Sequence, residues 1–333
     1  MILMEDFIIP GLEISFLQSG FLEIENCSDG MFRSGEGGVK HILSTKDRKL
    51  ELVCFDGKTL AYVKSSLGYP AYYPVNPVKQ ELPVKAVLMD LDGTTVYSEE
   101  FWIWIIEKSV QSLLNNHKFS LEDSDLPYVS GHSVSEHLQY CIEKYCPGAM
   151  IEDARKFYFQ HTNEEMQKIM EGHGRVGAFT PSKGVDEFLI ALKERHIRIG
   201  LVTSGLYEKA YPEILSAFQT LNMGDPNEFY DCIITAGYPL RKGSIGTLGE
   251  LEAKPHPWLY AETGTVGLGI PFEERGHVVG IEDSGAGVCA VRLAGYTTIG
   301  IGGGNILSSG TRGMCSHYCE NFEEILKKID GKA

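Results

Sequence analysis

The sequence predicts an α/β protein: a doubly wound, parallel, Rossmann-like sheet with an inserted α-helical cap, preceded by a small, mostly-β domain. Three observations predict it. From Val84 onward, nearly continuous apolar runs of strand length recur, as expected for strands covered on both faces. Helical patterns lie between those runs, and alternating strand and helix implies a parallel sheet. Residues 1–80 have a different texture, with short alternating segments and dense turns.

Taken in order, Leu12-Glu13-Ile14-Ser15-Phe16 and Phe21-Leu22-Glu23-Ile24 alternate apolar and polar with period two, the pattern of half-buried strands. Ser34-Gly35-Glu36-Gly37-Gly38 and Asp56-Gly57 supply turns, and Leu50 to Phe55 reads as another strand. The stretch Tyr69 to Pro83 contains Pro70, Pro74, Pro77 and Pro83. Proline at that density fixes extended backbone and removes donors, so it reads as a linker or surface strap. Residues 1–80 are therefore expected to form an accessory domain with no assigned role. Core strands are expected at Val84–Met89, Ile197–Val202, Asp231–Thr235, His277–Ile281 and Thr297–Ile301, with helices such as Val185–Leu192 between them. This assigns 81–97 and 178–333 to one α/β core. The interval 98–177 interrupts the pattern and reads as helical throughout. Its marks are Phe101–Leu114, a capping box at Ser133-Val134-Ser135-Glu136, and Ile151–Met170. Phe101, Trp102 and Trp104 are expected to pack inside this cap or against the core.

The chain of 333 residues is long enough for two or three domains. Hydrophobic residues at 43% and charged residues at 23% describe an ordinary globular composition. Lys and Arg number 30 against 45 Asp and Glu, a formal charge of −15. That argues against bulk nucleic-acid binding or anionic-membrane binding, which need a cationic surface. It leaves room for a small anionic substrate at a local cationic site. No apolar run approaches the roughly 18 to 20 residues of a membrane span. Met1 to Gly11 carries Glu5 and Asp6 without a basic stretch, unlike a signal peptide. Eight irregularly spaced cysteines read as reduced thiols. The expectation is a soluble, cytoplasmic protein with no nucleic-acid or membrane partner, its oligomeric state open.

Three core strands end on polar clusters: Met89-Asp90-Leu91-Asp92-Gly93-Thr94-Thr95, Leu201-Val202-Thr203-Ser204-Gly205 and Gly280-Ile281-Glu282-Asp283-Ser284-Gly285. Ligands of open α/β sheets bind beyond the carboxyl ends of the strands, so these clusters are expected to converge. A fourth element, Glu252-Ala253-Lys254-Pro255-His256-Pro257, places a lysine before a helix start. Singly, each has a plainer reading: turn or cap aspartates, a strand-end hydroxyl, a solvated lysine, an N-cap acid. Their joint occurrence at the expected strand ends favours a catalytic site.

With these motifs, residues 84–305 resemble the haloacid dehalogenase superfamily of phosphatases and phosphomutases, in the branch with a helical cap after the first motif. The family's pattern is Asp-x-Asp-x-Thr, an apolar strand ending in Thr or Ser, a lysine, and a final acidic pair. All four occur in order, over roughly two-thirds of the chain. In-line attack on a phosphoryl group requires a nucleophile, positive charge and positioned donors. The resemblance implies Asp90 as nucleophile, forming an aspartyl-phosphate, and Asp92 as general acid and base. It implies Mg²⁺, a hard ion that prefers oxygen, held by the Asp90 side chain, the Asp92 carbonyl and Asp283, with Glu282 close by. Thr203 and the amides near Ser204 and Gly205 would hold phosphoryl oxygens, and Lys254 would offset the charge of Asp90. The family's dehalogenases and phosphonatases lack an aspartate at the position of Asp92, which points to phosphate esters. In related capped enzymes the loop at Tyr128–Ser133 points into the active site, making Tyr128 and His132 candidate substrate contacts. A plain loop with an exposed histidine is the other reading there.

The expected activity is a Mg²⁺-dependent phosphohydrolase of small phosphorylated metabolites. A β-phosphoglucomutase-like sugar phosphomutase is the alternative, and a binding or oligomerisation role carried by residues 1–80 is the alternative of another class. Arg241–Gly249 looks longer than the family norm, either a mobile loop offering Lys242 to phosphate or a surface insertion. Gly300 to Gly304 fails the dinucleotide fingerprint because Asn305 takes the third glycine position. Cys315-Ser316-His317-Tyr318-Cys319 lacks the second pair and the spacing of a zinc motif.

Overall fold

The period-two alternation of the N-terminal region has a cause on both faces of one sheet. Strands β1 (Leu22–Ile24), β2 (His41–Ser44), β3 (Leu50–Phe55), β4 (Lys58–Val63) and β5 (Ala71–Pro74) pair antiparallel in sequential order. Leu43, Leu50, Leu52, Cys54, Ala61 and Val63 face one side, where they pack with Val288, Cys289, Ile306, Met314 and Cys315. Ile42, Val53 and Tyr62 face the other and pack with Cys27 and Val39. One face of this sheet thus shares a hydrophobic core with the C-terminal part of the chain. A computed structural model describes residues 6–64, 70–129, 134–175, 177–237 and 251–332.

Polar contacts reinforce that docking. Buried Arg292 donates to the carbonyls of Asn76, at 2.7 Å, and Gly11. Burial draws its guanidinium down to about 10 against the opposing pull of Glu13. Hydrogen bonds from a charged donor are stronger than neutral ones, so both stretches are held to the core. On the outer face, buried Glu51 accepts from Cys27 Sγ at 3.0 Å, Ser28 N at 2.8 Å and Lys64 Nζ at 2.9 Å.

The central sheet contains β6 (Ala86–Asp90), β7 (Arg198–Leu206), β8 (Cys232–Gly237), β9 (Val278–Glu282), β10 (Thr297–Ile301) and β11 (His317–Cys319). Their order is β8-β7-β6-β9-β10-β11, all parallel. The continuous apolar runs are buried, as in strands covered on both faces by helices. Helices Val185–Glu194, Tyr207–Leu221, Gly285–Leu293 and Phe322–Ile329 provide the connections and the C-terminus. Phe188 and Phe322 stack at 4.8 Å between two of them.

Several local expectations change. Leu12–Phe16 yields only a two-residue strand, Ile14–Ser15, before a helical turn at Phe16–Ser19. The proline-rich stretch contributes β5, an edge strand that ends on Pro74, where a missing donor is tolerated. The Cys315–Cys319 tract supplies β11, and all eight cysteines are free thiols.

By internal contacts the chain divides into two compact units. The first contains 1–95, 182–210 and 223–333, and so holds both the N-terminal and the central sheet. The second contains 96–181 and 211–222. Its helices Glu99–Leu114, Val134–Tyr145 and Ile151–Met170 bury Phe101 against Phe179 and Trp102, with ring centroids at 4.4 and 4.9 Å. Trp104 is partly exposed in this unit, with Lys108 and Arg175 over its ring at 4.6 and 4.7 Å. Buried Asp125 accepts from Tyr140, Tyr145 and Lys144 at 2.6, 2.5 and 2.7 Å. Ser133 of the expected capping box lies outside the described residues. Among the described residues no helix is long and apolar enough to cross a membrane.

Candidate active site

The central strand β6 connects in sequence to β7 on one side, while β9 returns to its other side. The crevice that ligands occupy in such sheets therefore opens at the carboxyl end of β6. Register aligns Val202 with Asp90 and Ile281 with Met89. Asp90, Thr203 and Glu282 consequently lie at nearly one level at this end of the sheet.

Asp90 is buried as the last residue of β6. Beyond it the strand opens into a loop closed by Thr95, whose hydroxyl donates to the Asp90 carbonyl at 2.5 Å and whose N–H donates to the Leu91 carbonyl at 2.9 Å. Gly93 adopts a φ of +85°, and a Cβ there would overlap the Asp283 carboxylate. Only glycine lets this loop pass so close to that acid.

Lys254 organises the acids. Its side chain is 7% exposed, with Nζ against Asp90 Oδ1 and 2.6 Å from Glu282 Oε1. Glu282 Oε1 also accepts from Tyr260 at 2.6 Å, and Oε2 accepts from the Ser284 hydroxyl at 3.0 Å. Ser284 in turn caps the helix Gly285–Leu293 by accepting from Gly287 N at 3.0 Å. The Lys254 N–H donates to Ser204 Oγ at 3.1 Å, Gly205 N donates to Thr203 Oγ1 at 3.0 Å, and Thr94 Oγ1 donates to Asp283 Oδ1 at 3.4 Å.

Burial and then the repulsion of Glu282 push the Asp90 carboxyl well above its ordinary value, and Lys254 reverses this only in part. The same two influences raise Asp283 to about 7. Exposed Asp92 adds to the push on both. Burial alone would lower the Lys254 ammonium, but Asp90 and Glu282 outweigh it and hold its pKa above the usual lysine range. Carboxylate oxygens of Asp90, Glu282 and Asp283 lie within 4.8 Å of one another. An all-oxygen, like-charged donor set of this kind suits a hard divalent cation, which would relieve the repulsion.

This electrostatics has a sign that can be checked. A carboxyl raised from 3.8 to about 7 binds its proton more tightly in the folded state. Its stabilising contribution is full below the unfolded value and is lost as pH rises through that window, with a slope of at most ~1.4 kcal/mol per pH unit and proton. With chelator present, the wild-type thermal midpoint should fall from pH 5.5 to pH 8 by more than that of Asp283→Asn, and Mg²⁺ should restore it at pH 8. A steeper fall in the variant would contradict the assignment; scanning fluorimetry at both pH values measures it.

Of the residues singled out in the sequence, Asp90, Asp92, Thr203, Ser204, Gly205, Lys254, Glu282 and Asp283 gather at this carboxyl end. Glu282, expected beside the metal, has both oxygens engaged by Lys254, Tyr260 and Ser284. Tyr128 belongs to the helical unit, half-exposed and stacked on Tyr140 at 4.6 Å. His132 and Arg241–Gly249 lie outside the described residues. Sequence reasoning missed Tyr260, since the apolar run Trp258-Leu259-Tyr260-Ala261 reads as plain core.

Fold and site together define a doubly wound α/β domain with a carboxylate–lysine centre at its switch point. Residues 87–233 match the family model of haloacid dehalogenase-like hydrolases. The match stops short of Lys254, Glu282 and Asp283, which the fold adds. No curated protein matches the chain. Among solved structures, it is similar to CbbY from Rhodobacter sphaeroides in complex with phosphate, at 19% identity and a TM-score of 0.51, over 74% of this chain and 99% of that one. A protein from Haemophilus somnus described as a predicted phosphoglycolate phosphatase gives 18% identity, a TM-score of 0.53, and coverage of 74% and 98%. A protein from Thermotoga maritima described as a beta-phosphoglucomutase gives 21%, 0.52, and coverage of 74% and 99%. At these identities the likeness is one of fold.

Proposed function

We propose that the protein is a divalent-metal-dependent phosphohydrolase of small phosphorylated metabolites, acting through a phosphorylated Asp90. The observation that carries this reading is the Asp90–Lys254 ion pair at the sheet's switch point, with Asp92 two residues on and Asp283 facing it. In this scheme an Asp90 carboxylate oxygen attacks phosphorus in line as the ester P–O bond breaks. Asp92, as general acid, gives a proton to the departing oxygen. Asp92 then takes a proton from water, whose oxygen attacks phosphorus, breaking the Asp90–phosphorus bond and releasing phosphate. Thr203 and the amides near Ser204 and Gly205 hold phosphoryl oxygens, while Lys254 orients Asp90 and favours its ionised form against the push of burial and Glu282. Asp90, the Asp92 carbonyl and Asp283 would hold Mg²⁺, which supplies charge neutralisation for the phosphoryl group.

The test is phosphate release from sugar phosphates, phosphoglycolate, nucleotides and an aryl phosphate, each with Mg²⁺ and with chelator. Release that requires the metal is the expected outcome. Absence of release from every substrate, with conversion of β-glucose 1-phosphate to glucose 6-phosphate, would replace hydrolysis by phosphomutase chemistry.

A further inference from the structure

The lysine segment has a second support, from a part of the chain far outside the catalytic motifs. Strand alternation in β5 sends Tyr72 to the outer face, where it donates to Asp29 at 2.8 Å, and Tyr73 to the inner face. There the Tyr73 hydroxyl lies 2.8 Å from His256 Nδ1, with its ring edge-on to His256 and Trp258. His256 is 1% exposed, and burial lowers its pKa despite Glu252, so the ring is neutral near pH 7.

His256 stands two residues from Lys254, and its backbone N–H donates to the Ala253 carbonyl at 3.1 Å, closing a turn around Lys254-Pro255. Ser204 accepts from the Lys254 N–H at the other side of that turn. The backbone that carries Lys254 is thus gripped by β7 and by β5. We infer that Tyr73 is a positioning residue of the active site: through His256 it fixes the turn that delivers Lys254 to Asp90 and Glu282. The N-terminal sheet is then a working part of that site. This rests on the role proposed above for Lys254. The reason is geometric, because one ammonium must stay within reach of two buried carboxylates, and small displacements of catalytic groups weaken catalysis strongly.

The experiment uses the full chain. Tyr73→Phe removes one oxygen and keeps the ring, and Tyr72→Phe makes the same change on the outer face. With the best substrate of the panel, Tyr73→Phe should lower kcat about 10-fold with KM within about 3-fold. In a Lys254→Met background the same change should alter the residual rate less than about 2-fold, although it shifts the thermal midpoint equally in both. Tyr72→Phe should lower the thermal midpoint and leave kcat intact. A readout independent of turnover is acetic anhydride labelling followed by mass spectrometry. Lys254 should acetylate at least about 5-fold faster in Tyr73→Phe, with Lys64 and Lys144 unchanged. A wild-type labelling rate in Tyr73→Phe, or equal kcat losses in the two backgrounds, overturns the inference. A wild type without phosphatase activity would sink the phosphohydrolase reading, while the labelling result still decides this one.

Discussion

Asp90→Asn should release phosphate at no more than about one ten-thousandth of the wild-type rate, because an amide cannot form the covalent intermediate. The substitution changes one atom in a buried site and leaves Lys254 its second partner, Glu282, at 2.6 Å. Its effect on stability should run the other way. Burial and the repulsion of Glu282 already favour the neutral form of Asp90, so a permanently neutral isostere relieves strain between like charges. The thermal midpoint in chelator at pH 8 is therefore expected to stay level or rise. A loss of function with a gain of stability separates a catalytic carboxylate from a structural one. Retention of more than a tenth of the activity would remove Asp90 from the nucleophile's role.

Lys254→Met carries the second large effect. Methionine keeps the straight chain and removes the charge, leaving Asp90 and Glu282 buried without their shared cation. Breaking a buried ion pair on one side costs about 3–5 kcal/mol at neutral pH. Part of that loss should be recovered at pH 5.5, where the raised carboxyls take up protons and no longer repel. Phosphate release should fall by roughly 10²–10³, the usual effect of deleting a positioned charge that stabilises a transition state. Urea denaturation at the two pH values, beside steady-state kinetics, checks both halves. An equal stability loss at pH 5.5 and pH 8 would mean that Lys254 contributes packing rather than charge.

The division between what was legible and what was not follows contact distance along the chain. Asp90, Thr203, Glu282 and Asp283 were legible because each ends an apolar run, and parallel strands bring their carboxyl ends to one edge whatever the loops do. Lys254 was legible from its place between two such strands. Tyr260 was not, because its hydroxyl finds Glu282 only after the helix Trp258–Glu262 packs under the sheet. Strand β11 was hidden for another reason: it has three residues, too few for periodicity to register.

Residues 1–80 mark the boundary most clearly. Their alternation announced strands, and Leu50–Phe55 forms the strand expected of it. Alternation assigns residues to two faces without naming what covers either one. Docking onto the helix Gly285–Leu293, the Arg292 contacts to Asn76 and Gly11, and the approach of Tyr73 to His256 join residues 183 to 281 positions apart. Hydrophobic burial is non-directional and leaves no local signature of its partner. The sequence alone therefore determined the polar strand-end clusters and the family model that residues 87–233 match. The tertiary structure decided that the N-terminal sheet shares a core with the C-terminal part of the chain and meets His256, two residues from Lys254, because only packing chooses which buried faces meet.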